Sequence, residues 1–187
     1  MDRDLFFEKL MEGYAGNYDI QRVEEDVQNL PLRARASMHV SESGFVLTRK
    51  AQMWSADSDE HVYFYSADTL TSELCEKGIE YAHEEGMKLI DLDGTPNHMC
   101  TCLVAIFICN HAESEAISKI EKCRIYKNFQ MSLKGWMEVH TICVELDEDR
   151  VTSNRYGKDT AKFITELLHP EKRKKSSPFR ILKKMLE

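Results

Sequence analysis

The chain has 187 residues, of which 42% are hydrophobic and 30% charged, with a formal net charge of −7. That length and composition describe one domain large enough to bury a core without disulfides or metals as staples, and they exclude a wholly disordered chain. The charge is uneven: residues 170–187 hold seven basic and two acidic residues, whereas 1–169 hold 18 basic and 30 acidic, so the acidic body disfavours nucleic acid as a partner.

Leu5, Phe6, Leu10 and Met11 recur at helical spacing after Asp2 and Asp4, predicting a helix that ends near Gly13 or Gly16. Residues 17–31 are ambiguous, with Ile20, Val23, Val27 and Leu30 on a helix face that stops at Pro31. Leu32, Ala34, Ala36, Met38 and Val40 alternate with polar residues, as in a half-buried strand. Ser41 to Gly44 reads as a turn, Phe45 to Trp54 as a second strand, Ser55 to Glu60 as a polar loop and His61 to Ser66 as a third strand. Thr69 or Thr71 caps a predicted helix with Leu74, Gly78, Tyr81 and Ala82 inward, closed at Gly86. Residues 87–97 read as a long loop.

Met99 to Cys109 is apolar on both faces, the mark of a central strand. A short helix over Ala112–Lys122 leads into a strand carrying Ile125, Lys127 and Phe129, and this unit predicts a right-handed parallel crossover. Gly135 marks a turn, Trp136 to Leu146 a strand and Asp147 to Gly157 a loop. Ala161, Phe163, Ile164, Leu167 and Leu168 line a last helix that Pro170 stops. The order predicts an α+β fold: one domain over 1–169, with a mixed, mostly antiparallel sheet packed by helices. That sheet combines a β-meander, a β-α-β crossover and a hairpin. Residues 170–187 form an appended basic linker and tail.

Lys88 to Thr95 ends in Asp91-Leu92-Asp93-Gly94-Thr95 and resembles the first motif of the haloacid-dehalogenase phosphatases. The resemblance implies a magnesium-dependent phosphohydrolase with Asp91 as nucleophile and Asp93 as general acid. That chemistry needs Asp91 at the carboxyl end of a buried parallel strand; an exposed Asp91 in a loop would end the reading. Asp-Gly is also ordinary turn chemistry, and Pro96 and Asn97 stand where a helix should begin.

His98, Cys100 and Cys102 fall on one strand face and could converge on zinc, with buried thiols beside a strand-mouth histidine as the plainer reading. His140 and Cys143, three apart on a strand, point to opposite faces and make no nucleophile pair. Arg33, Arg35, His39, Thr48, Lys50 and Gln52 read as a face that either binds an anion or makes cross-strand pairs with acids.

Glu171 to Ser177 reads as a linker, and Pro178 to Leu186 as a basic amphipathic helix. Lys172, Arg173, Lys174, Lys175, Arg180, Lys183 and Lys184 are its candidate contacts to a protein partner, an anionic surface or the acidic body. The longest apolar run, Leu103 to Cys109, is too short for a membrane span, and no secretory signal opens the chain. Most of the six cysteines sit in apolar segments, so they read as reduced thiols in a cytoplasmic protein.

Lys127-x-Phe129, Gly135-Trp136 and Val151-x-x-Asn154-Arg155-x-Gly157-Lys158, with Lys50-Ala51-x-x-Trp54, resemble a group of uncharacterised bacterial proteins of about this length. The group implies one intact domain and no assigned activity. The expectation is a non-catalytic intracellular binding or assembly domain with no cofactor, free to form a homo-oligomer. The phosphohydrolase and the zinc-binding domain are its alternatives.

Overall fold

Residues 102–109 are apolar on both faces, and both faces are covered. The structure, a computed structural model, describes residues 1–24, 27–45 and 52–170, with side chains over 1–24, 27–41 and 56–170. In it β4 (His98–Ala112) lies inside a seven-stranded open sheet. Its neighbours are β3 (Gln52–Leu70) and β6 (Trp136–Glu145), both parallel to it. β2 (Leu32–Phe45) runs antiparallel to β3, and β1 (Asp19–Arg22) forms the edge beyond β2. On the far side, β5 (Tyr126–Asn128) pairs with the start of β6 and β7 (Arg150–Ser153) with its end. Four antiparallel pairings surround two parallel ones, so the fold is α+β with the mixed, mostly antiparallel sheet expected.

Helices cover both faces. α1 (Arg3–Tyr14) and α4 (Lys158–Leu168) pack Phe6, Leu10, Tyr14, Phe163 and Ile164 against Phe64, Ile106 and Ile142. α2 (Ser72–Leu89) and α3 (Ser114–Lys122) pack Cys75, Ala82, Ala116 and Ile120 against Tyr65, Leu103, Phe107 and Val139. Both crossovers, β3-α2-β4 and β4-α3-β6, put their helix on this second face. Successive crossovers of one hand must do so when the strands advance in one direction.

The helices follow local rules. Asp2 caps α1 by accepting from the amides of Asp4 and Leu5, and Thr71 Oγ1 accepts from Leu74 N at 3.2 Å to start α2. Among the described residues no helix is long and apolar enough to cross a membrane.

Several boundaries differ from expectation. The turn at Ser41–Gly44 and the loop at Ser55–Glu60 are strand: β2 and β3 run on as a long antiparallel pair. Their sequences lack an apolar period there, but each strand satisfies the other's backbone, and from Asp57 onward β4 adds a second ladder. The ambiguous segment contains β1, and the predicted loop at Asp147–Gly157 contains β7. The second crossover closes on β6 instead of the strand after α3, because that strand is three exposed residues whereas β6 is ten nearly all buried. Helix α2 continues through Gly86, which lies inside it facing Leu103. Gly135 does make the expected turn, at φ +74°, where a Cβ would stand 2.1 Å from Met99 O. Gly157 has φ −80°, so its small size matters for packing against Ile142 and not for a left-handed backbone.

One residue seals the free edge of β6. Asn154 is buried between β5 and β7. Its Oδ1 accepts from Thr141 N and Gly157 N, and its Nδ2 donates to Val139 O and Cys123 O. The side-chain amide thus stands in for the missing strand pairing with its full complement of bonds.

Candidate functional site

On a pleated sheet alternate residues share a face, and parallel register sets which of them meet. The register places Ser58 opposite Cys100, Glu60 opposite Cys102 and Cys102 opposite Glu138. His140 follows two residues after Glu138 and shares its face. Further along, the same face is apolar: Val62 and Phe64 on β3, Val104 and Ile106 on β4, Ile142 and Val144 on β6. The polar cluster therefore sits beside the core under α1 and α4, towards the amino ends of β4 and β6.

These side chains are out of water. Glu60, Glu138 and His140 are only 6%, 8% and 4% exposed, and Cys100 and Cys102 are each 2% exposed. Tyr18, placed by the turn after α1, donates its hydroxyl to Glu60 Oε1 at 3.0 Å. His140 Nε2 lies 3.0 Å from Glu138 Oε1. The Cys100 thiol lies 3.4 Å from Ser58 Oγ. The ring of Tyr156 stacks over His140 at 6.4 Å and 17°. Among the described residues Nδ1 of His140 has no hydrogen-bond partner although it is buried.

The electrostatics follow from burial. Desolvation pushes the Glu60 carboxyl up, against the opposing pull of His140 and of the Tyr18 hydroxyl. The hydrogen bond to Cys100, with burial and the nearby carboxylates, pushes the Cys102 thiol up, and the same bond lowers Cys100. Two carboxylates thus share a dry pocket with a single imidazole.

Donor atoms of Cys102, Glu138 and His140 all lie within 4.8 Å of one another. Sulfur, carboxylate oxygen and imidazole nitrogen are the three ligand types of zinc-class sites.

The residues singled out in the sequence are dispersed. Asp91 is exposed in a turn after α2, and its Oδ1 accepts from Asp93 N and Gly94 N. It caps that turn. The carboxyl end of a parallel strand, which a phosphohydrolase nucleophile requires, is not where Asp91 or the equally exposed Asp93 stands. Cys100 and Cys102 do share a face, but a register shift between Asp57 and Ser58 separates His98 from them. His98 instead packs on Phe129 among the α2 and α3 layer, and its ring nitrogens meet Lys134 O and Thr101 Oγ1, both at 2.8 Å. Cys109 and Cys143 lie on that opposite face, with their sulfurs 3.8 Å apart.

The basic face divides: Arg33 pairs with Asp4 at 3.1 Å, His39 with Asp59 at 2.8 Å, and Arg35 donates to the Tyr81 hydroxyl. Thr48, Lys50 and the Gln52 side chain lie outside the described residues, as do Lys172, Arg173, Lys174, Lys175, Arg180, Lys183 and Lys184. Glu60, Glu138 and His140 were missed as a group. Their only sequence signal is the Glu-x-His alternation at 138–140, which places two donors on one strand face.

Fold and cluster together define an α+β domain with an open mixed sheet and a buried polar site. The chain belongs to the family described as Domain of unknown function (DUF8052), whose model matches residues 2–166. No curated protein and no solved structure matches it.

Proposed function

We propose that the protein is a non-catalytic binding domain whose working site is the buried cluster of Tyr18, Glu60, Cys102, Glu138 and His140. The observation that carries this reading is the burial of Glu60, Glu138 and His140 together on an otherwise apolar sheet face. Such a group costs stability, and apolar residues of similar volume would fill the space better. Holding a ligand would offset that cost.

A cytoplasmic setting belongs to the same proposal, supported by six cysteines that form no disulfide. So does a contact role for the basic residues 172–184, which rests on sequence alone and is checked by partner capture with and without residues 170–187.

The test of the site needs no ligand. A Glu60→Leu/Glu138→Met/His140→Leu variant is unfolded in urea beside the wild type, with chelator present. The proposal expects equal stability or a gain of up to about 4 kcal/mol. A loss beyond about 1 kcal/mol would make the cluster a structural network and end the reading.

A further inference from the structure

On the reading that this cluster is a binding site, we infer that its ligand is a divalent zinc-class cation held by Cys102 Sγ, a Glu138 carboxylate oxygen and a His140 ring nitrogen. Three independent observations converge on this. The first is the donor geometry. Bond lengths of about 2.3 Å to sulfur and 2.0–2.1 Å to nitrogen and oxygen put tetrahedral ligands roughly 3.3–3.6 Å apart. The donors here already lie within 4.8 Å of one another. Closing the site requires its donors to draw together by no more than the difference between those two spacings.

The second is an unpartnered buried ring nitrogen. His140 is 4% exposed, and its Nδ1 has no partner among the described residues. A buried ring nitrogen without a partner costs about 1–3 kcal/mol, and coordination of Nδ1 to a cation would remove that cost. The third is charge. Glu60 faces Cys102 across the β3–β4 register, and Glu138 faces it across β4–β6. Two carboxylates and a thiol surround one imidazole, so a bound divalent cation balances the pocket as no other described side chain does. Mixed sulfur, nitrogen and oxygen donors favour zinc over magnesium or calcium, which prefer oxygen alone. Binding would displace the Cys102 thiol proton, giving a thiolate ligand, and leave Glu60, held by Tyr18, as fourth ligand or as hydrogen-bond partner of a bound water.

The test loads the full chain with zinc alone, or with cobalt alone, after chelation and dialysis. The expected result is one metal per chain, a raised unfolding midpoint, and a cobalt spectrum with a thiolate-to-metal charge-transfer band. Cys102→Ser should abolish that band. Glu138→Gln, which preserves shape and the acceptor facing His140, should weaken binding at least tenfold, as should His140→Ala. Cys109→Ser and Cys143→Ser, on the opposite face, should leave both band and stoichiometry unchanged. The inference is overturned by substoichiometric metal in folded wild type, by a band that survives Cys102→Ser, or by a band that depends on Cys109 or Cys143. No metal uptake together with a stabilised triple apolar variant would remove the cation and leave the binding domain. No metal uptake together with a destabilised triple variant would remove both.

Discussion

Asn154 shows how much one side chain can carry. Its carboxamide joins four backbone groups from the α3–β5 connection, β6 and the loop before α4. Replacing it with alanine would strand the carbonyls of Val139 and Cys123 and the amide of Thr141 in a dry site. Asn154→Ala should therefore destabilise the protein by about 2–4 kcal/mol, read from urea unfolding. Asn154→Asp should not rescue it, because a carboxylate cannot donate to the two carbonyls; recovery with aspartate would refute the hydrogen-bond account. The sequence marks Asn154 only as part of the Val151 to Lys158 resemblance, and does not show that its side chain would join these groups. Glu60 is hidden more thoroughly. In a stretch reading Ser-Ala-Asp-Ser-Asp-Glu it looks like solvent-exposed loop. Only the strands on either side of it turn that carboxylate inward.

At the scale of elements, the helices were legible and the strand ends were not. α1, α2 and α4 carry local signals: a capping aspartate or threonine, apolar residues three and four apart, a proline at the stop. Gly86 is the exception. Glycine near the end of an apolar stripe reads as a stop, yet here it is the gap through which α2 approaches β4. A Cβ at Gly86 would sit 2.3 Å from Leu103 Cδ2, and Leu103 has no exposed surface into which to retreat. Alanine would improve helix propensity by about 1 kcal/mol, but overpacking costs about 1–3 kcal/mol. Gly86→Ala should thus destabilise by roughly 1 kcal/mol net, and much less in a Leu103→Ala background, where the clash is gone. A double-mutant cycle measures the difference; additive effects would mean that the close approach is not the reason for the glycine.

The whole molecule is organised around β4, paired on both edges and covered on both faces. Its amides should exchange with solvent only on global unfolding, whereas β1, four residues at the sheet edge, should open locally. Native-state hydrogen exchange resolves the two, and equal protection of β1 and β4 would contradict this hierarchy. The sequence by itself determined the α+β class, the central strand, the helices and the amino-terminal caps of α1 and α2, because each rests on periodicity or capping chemistry within a dozen neighbouring residues. Tertiary structure alone decided that β6, not β5, completes the second crossover, that the polar stretch before His61 is strand, and that His98 turns away from Cys102. It also brought Cys102 beside Glu138 and His140. Those outcomes depend on which edges pair and in what register, and a one-residue shift of register moves a side chain to the opposite face.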